Sequence, residues 1–190
     1  MKINKGGIIL DRELSELDKF AMKFCRVIEK HTKYVIVSGY VSILLGRARA
    51  SEDIDIILPA LSKEKWKMLF NALTKAGYYC LNTDDISESY DYLTDNTAVR
   101  FAPTGIVIPN MEILFALDKI QETALKTSIP VRIGKNVINV SNLELQIAYK
   151  EKILRSPKDL EDARHLRAVL GRNINMKNLI EYEKIVNEAN

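Results

Sequence analysis

The chain has 190 residues, 47% of them hydrophobic and 28% charged, the balance of an ordinary globular domain that can bury a core without disulfide or metal staples. No segment approaches the roughly 18 consecutive apolar residues that span a bilayer, and the opening Met1-Lys2-Ile3-Asn4-Lys5 does not read as a signal peptide, so a cytoplasmic location is expected. The net charge of +3 permits nucleic-acid binding without arguing for it.

Residues 12–31 place Leu14, Leu17, Phe20, Ala21, Phe24, Val27 and Ile28 three and four apart, which predicts an amphipathic helix. Cys25 falls on that apolar pattern and reads as a buried, reduced thiol; neither it nor Cys80 has metal-ligand spacing. Tyr34-Val35-Ile36-Val37 reads as a short strand broken by Ser38-Gly39, with a helix over 40–45. A second strand is expected over 54–58, stopped by Pro59, then a helix capped by Ser62 that runs to about Ala76 and ends at Gly77. Residues 78–81 resemble a strand leading into an acidic loop at Asp84-Asp85. Strands are expected over 97–101 and 106–115, joined across Pro103-Thr104-Gly105, and a hairpin over 130–140. Ser141 and Glu144 have the spacing of a capping box, Ser156-Pro157 opens a helix that Gly171 stops, and a last helix runs from about Met176. The order predicts an α/β fold, a small mixed sheet flanked by helices. Residues 1–140 would form one unit and residues 141–190 a helical portion.

The stretch SGYVSILLGRARASEDIDIIL, residues 38–58, carries the chemistry. In Asp53-Ile54-Asp55 the strand period puts both carboxylates on one face and Ile54 into the core. Two carboxylates held together repel unless a cation lies between them, and hard oxygen ligands suit Mg²⁺, with Mn²⁺ as a substitute. Glu112, the lone charge of the 106–115 run, is the candidate third ligand of a two-metal site. Ser38-Gly39 follows a strand and precedes a helix, where a glycine lets backbone approach a phosphate and serine adds a hydroxyl. Arg47 and Arg49 are placed to grip a triphosphate. His31 and His165 offer no zinc site.

A glycine-glycine or glycine-serine turn, a short helix, then Asp-x-Asp and a later lone acid resembles the polymerase-beta-type nucleotidyltransferase superfamily. Within it, Ser38-Gly39, Arg49-x-Ser51 and Asp53-Ile54-Asp55 are most similar to the AbiEii-like, toxin-type group. The likeness extends over roughly residues 34–170, through Ser141, Lys150, Arg155 and Lys158-Asp159-Leu160-Glu161-Asp162. One departure is Ser38, which stands where the family has its first glycine.

The resemblance implies a nucleotidyltransferase fold whose helical C-terminal portion closes a nucleotide cleft over a catalytic domain. Asp53, Asp55 and Glu112 would hold two Mg²⁺, with Glu112 also the base for an acceptor hydroxyl. Ser38, Gly39 and Lys150 would hold the nucleoside triphosphate, and Asp159 or Asp162 would contribute from the tail. The implied acceptor is an RNA 3′ end such as that of tRNA, ahead of a protein or a small molecule, and the implied partner is an antitoxin protein. Two other readings remain open: a regulatory module that binds the triphosphate without turnover, and a two-metal phosphohydrolase or nuclease.

Overall fold

The computed structural model describes residues 1–4 and 6–188. Nine strands form one mixed sheet in the order β1-β2-β8-β9-β3-β4-β7-β6-β5. These are β1 (Lys2–Asn4), β2 (Gly7–Leu10), β3 (Val35–Ile36), β4 (Asp53–Pro59), β5 (Tyr78–Cys80), β6 (Val99–Pro103), β7 (Asn110–Ala116), β8 (Ile129–Ile133) and β9 (Asn136–Val140). The central pair β4 and β7 is parallel, and β6 runs antiparallel to β7. The helices are α1 (Glu16–Ile28), α2 (Ser38–Leu44), α3 (Lys63–Lys75), α4 (Ile86–Thr94), α5 (Lys119–Lys126), α6 (Leu143–Tyr149), α7 (Pro157–Leu170) and α8 (Met176–Glu188). A π-helical segment, Lys150–Leu154, links α6 to α7.

The alternation along the two central strands determines what each sheet face is for. Ile54, Ile56 and Leu58 of β4, with Met111, Ile113 and Phe115 of β7, are buried on one face. Trp66 and Phe70 of α3 and Phe24 of α1 pack there, with Trp66 edge-on to Phe101 and Phe115 at 6.2 and 5.9 Å. Trp66 also donates from Nε1 to Ser89 Oγ of α4 at 2.9 Å, so its polar edge is satisfied inside the core. Complete burial of each such aromatic contributes roughly 1.5–3 kcal/mol. The opposite face carries Asp53, Asp55 and Ile57 beside Asn110, Glu112 and Leu114. Helices α5 and α6 lie over its lower part. The apolar core continues from the sheet into Leu145, Ile147, Leu166, Leu179 and Val186 of the C-terminal helices.

Several expectations need correction. The first helix starts only at Glu16, because Ser15 and Asp18 form a capping box there. The cap of α6 is Asn142, whose side chain accepts from the N–H groups of Glu144 and Leu145; Ser141 lies one residue too early, and Glu144 instead accepts from the Asn175 N–H. Residues 106–109 are not strand: Ile106, Val107 and Ile108 are exposed in the connection after the Thr104-Gly105 turn, and pairing begins at Asn110. The acidic pair Asp84-Asp85 does not sit in a bare loop, since Asp85 caps α4. Both cysteines are buried and free, and burial pushes each thiol pKa upward. Among the described residues no helix is long and apolar enough to cross a membrane.

Candidate active site

The parallel ladder between β4 and β7 aligns Asp53 with Asn110 and Asp55 with Glu112, and the antiparallel ladder to β6 aligns Glu112 with Arg100. Neighbouring strands lie about 4.8 Å apart, so three carboxylates share one small patch of sheet. The effect falls on Asp55. Burial first, then the charges of Glu112 and Asp53, push its pKa up to about 6, against the pull of the Ser38 hydroxyl and of Lys150. Ser51 steadies Asp53, its hydroxyl donating to the Asp53 carboxylate at 3.2 Å and to its carbonyl at 3.0 Å.

Glu112 is paired with Arg100 of β6, whose Nε donates to Glu112 Oε1. With that pairing in place, no three His, Cys, Asp or Glu side chains among the described residues are gathered closely enough to hold an ion. The donor set nevertheless fits a hard divalent cation. It consists of carboxylate oxygens, and the charges of Glu112 and Asp53 add to burial in raising the pKa of Asp55, so negative charge is gathered there.

Ser38 opens α2, two residues after β3, with φ 62° in the left-handed region. A non-glycine residue there is strained by about 1–2 kcal/mol. Its N–H is taken by Gln146 Oε1 at 2.9 Å, and its hydroxyl is turned to the Asp55 carboxylate. We expect Ser38→Gly to raise the urea midpoint by about 1 kcal/mol of stability with an unchanged m-value, which equilibrium denaturation would measure. Gly39 is needed for a different reason. A Cβ there would meet the Arg49 guanidinium at 2.9–3.1 Å, so only a glycine lets that cation lie against the turn.

The cations expected near a triphosphate are drawn into a single network with the acids of α7. Asp162, fully buried, accepts from Arg49 at 2.8 Å and from Lys150 at 2.9 Å, and also from Arg47. Arg47 further reaches Glu161 and the Lys158 carbonyl. Lys150 is completely buried at the head of the π-helical segment, bonded also to Asp159 at 3.2 Å. Burial lowers its pKa, opposed by Asp159. Asp159 is pulled below the usual carboxylate range by Ser156 and Lys150, against the desolvation that burial imposes. Arg155, in contrast, is exposed in a left-handed conformation at the end of that segment. The structure therefore brings Ser38, Gly39, Arg49, Lys150, Asp159 and Asp162 together beside Asp55, with Arg47 at the rim.

Sequence reasoning missed the cavity that opens next to them. Its volume is about 240 Å³, and Ser38 and Asp55 stand on its wall with Ile57, Leu114, Leu145, Gln146 and Tyr149. Helix α5, which supplies Ile120, Gln121 and Ala124 to it, could have been found from the capping-box spacing of Asp118 and Gln121. The cavity wall carries no cationic side chain.

No known family profile matches the chain, and no curated protein matches it in sequence. Solved structures do match in fold. The crystal structure of ANT(2″)-Ia in complex with adenylyl-2″-tobramycin superposes with a TM-score of 0.57 at 16% identity, over 92% of this chain and 99% of that one. The solution structure of the antibiotic-resistance factor ANT(2″)-Ia gives 0.56 at 13% identity, over 92% and 94%. The chain has a nucleotidyltransferase fold.

Proposed function

We propose that the chain is a metal-dependent nucleotidyltransferase that moves a nucleoside monophosphate from a nucleoside triphosphate to an acceptor hydroxyl. The observation that carries this reading is the register of β4 and β7, which sets Glu112 beside Asp55 and one residue pair from Asp53, next to the Ser38-Gly39 turn. Bound Mg²⁺ would supply charge neutralisation at the phosphates and acidify the acceptor hydroxyl. Asp53, Asp55 and Glu112 would hold it, Glu112 leaving Arg100 to do so.

The chain's own groups account for the remaining steps. The Ser38 hydroxyl and the Gly39 backbone face the outer phosphates. Arg49, pinned against Gly39 by Asp162, is already placed over that turn. Lys150 has three donors, two of them committed to Asp159 and Asp162, so one remains for a phosphate oxygen. Glu112 accepts the acceptor's proton as its oxygen attacks the α-phosphorus in line, and pyrophosphate leaves. The apolar cavity, with Tyr149 on its wall and no cation, suits an uncharged nucleobase rather than the phosphates.

For the acceptor, the AbiEii-like resemblance of Arg49-x-Ser51 and Asp53-Ile54-Asp55 supports an RNA 3′ end, with toxicity restrained by an antitoxin. A small hydroxylated molecule is a second reading. It is favoured by the fold neighbour bound to adenylyl-2″-tobramycin and by the consumption of Arg47, Arg49 and Lys150 in pairs with acids, which leaves little local charge for a nucleic-acid backbone. Incubation with each α-³²P-labelled nucleoside triphosphate, Mg²⁺ and either total RNA or a panel of aminoglycosides separates the two. Label is expected on one acceptor class and pyrophosphate in equal amount. Pyrophosphate with no labelled acceptor would mean hydrolysis, and binding without pyrophosphate a regulatory module.

A further inference from the structure

Two buried side-chain polar atoms among the described residues lack a hydrogen-bond partner: Ser42 Oγ, inside α2, and Asn110 Oδ1. The second stands in a telling place. Asn110 opens β7, is 7% exposed, and pairs in register with Asp53, so it shares the carboxylate face with Asp53, Asp55 and Glu112. Its orientation is set by Nδ2, which reaches the Glu52 carbonyl at 3.5 Å. That leaves the amide oxygen as the free end, shielded from solvent. A buried acceptor without a donor is costly, and native proteins keep very few. Exchanging the oxygen and nitrogen would set an N–H where the orphan acceptor now lies and the oxygen against the Glu52 carbonyl, which improves nothing.

An unpartnered amide oxygen on a residue that shares a sheet face with three carboxylates has the character of a cation ligand. Hard divalent cations take neutral carbonyl oxygens together with carboxylates, and a neutral ligand adds coordination without adding repulsion. We propose that Asn110 Oδ1 is a further oxygen ligand for the divalent cation, at the Asp53 end of the site. The inference rests on the reading of Asp53, Asp55 and Glu112 as cation ligands.

The test uses Mn²⁺ as the probe, its affinity measured by titration calorimetry and by the loss of the free-ion paramagnetic resonance signal. Cation-free melting is followed in parallel. Asn110→Leu is expected to weaken Mn²⁺ binding by about tenfold or more and to raise the cation-free melting midpoint by about 2–4 °C, because an orphan acceptor has been replaced by apolar atoms. Asn110→Asp should retain or tighten Mn²⁺ binding and lower the cation-free midpoint. An asparagine kept only for folding would give the reverse for leucine: a lower midpoint and unchanged Mn²⁺ affinity, which overturns the proposal. If the wild-type chain binds Mn²⁺ no better than Asp53→Asn, the carboxylate reading fails and this one with it. If wild type outbinds Asp53→Asn but equals Asn110→Leu, only the role of Asn110 falls.

Discussion

Asp55→Asn is expected to abolish nucleotidyl transfer, by about 10²–10³-fold or more, and at the same time to stabilise the cation-free protein. The two effects share one cause. On the proposed reading the Asp55 charge serves a cation, whereas the fold disfavours it: burial and the charges of Glu112 and Asp53 push its pKa up to about 6. The sign follows directly. Between the unfolded carboxylate value, near 4, and about 6, the folded state holds a proton that the unfolded state has released. Stability from this group is therefore full at acid pH and is lost as pH rises through about 6. The loss is on the order of 2–3 kcal/mol by pH 7.5, since each pKa unit corresponds to about 1.4 kcal/mol. Asp55→Asn removes that slope. Urea denaturation of both proteins at pH 4.5, 6 and 7.5 without metal would show a wild type that weakens relative to the variant, and Mg²⁺ at pH 7.5 should restore the wild type only. A wild type that gains on the variant as pH rises would contradict the crowding of charge at Asp55. Asp53→Asn should lose transfer to a similar degree.

That crowding was legible in the sequence because strand periodicity is a local property. Asp53-Ile54-Asp55 alternates whatever the rest of the chain does, and Glu112 stood out as a single charge in an apolar run. What local pattern could not supply was the partner of each group. Arg100 is one residue in a short strand with nothing unusual about it, and only the β6–β7 register shows that it holds Glu112. Lys150 and Asp162 were noticed through a family resemblance as contacts for a nucleotide. Their burial and their mutual pairing depend on how α7 docks against the loop that follows α2. The elements that escaped were short or capped by acids. β1 pairs with β2, and β2 pairs with β8, more than a hundred residues away, so no sequence window holds β2 and β8 together. α4 was hidden by its own N-cap: Asp84-Asp85 looked like a solvated loop, although Asp85 accepts from the N–H groups of Ser87 and Glu88. The run of Ile106, Val107 and Ile108 misled in the opposite direction, since hydrophobicity without a paired neighbour does not make a strand.

Asp162→Ala is expected to have the largest effect on stability of any single change here, about 3–5 kcal/mol, against a total that for domains of this kind is about 5–15 kcal/mol. The carboxylate is fully buried and receives Lys150, Arg49 and Arg47. Its removal leaves Lys150, also fully buried, with Asp159 alone, leaves Arg49 against Gly39 without a carboxylate, and leaves Arg47 only the exposed Glu161. Lys150→Met should cost less. Asp162 would still have two arginines, and the Asp159 carboxylate would keep the Ser156 hydroxyl as a donor. The network is thus centred on the aspartate, and the order of the two penalties in urea denaturation at pH 7.5 tests that. A larger loss for Lys150→Met would make the lysine the organising charge instead. Salt should change neither value much, because the pairs are shielded from the solvent ions that screen exposed ones. Arg49 gives the consequence for activity. Once freed from Asp162 it is no longer pinned against Gly39, so Asp162→Asn, which keeps the side-chain shape and one acceptor oxygen, should raise KM for the nucleoside triphosphate more than it lowers kcat. An unchanged KM in a folded Asp162→Asn protein would separate the network from the nucleotide and leave it as the strut that fixes α7 to the sheet.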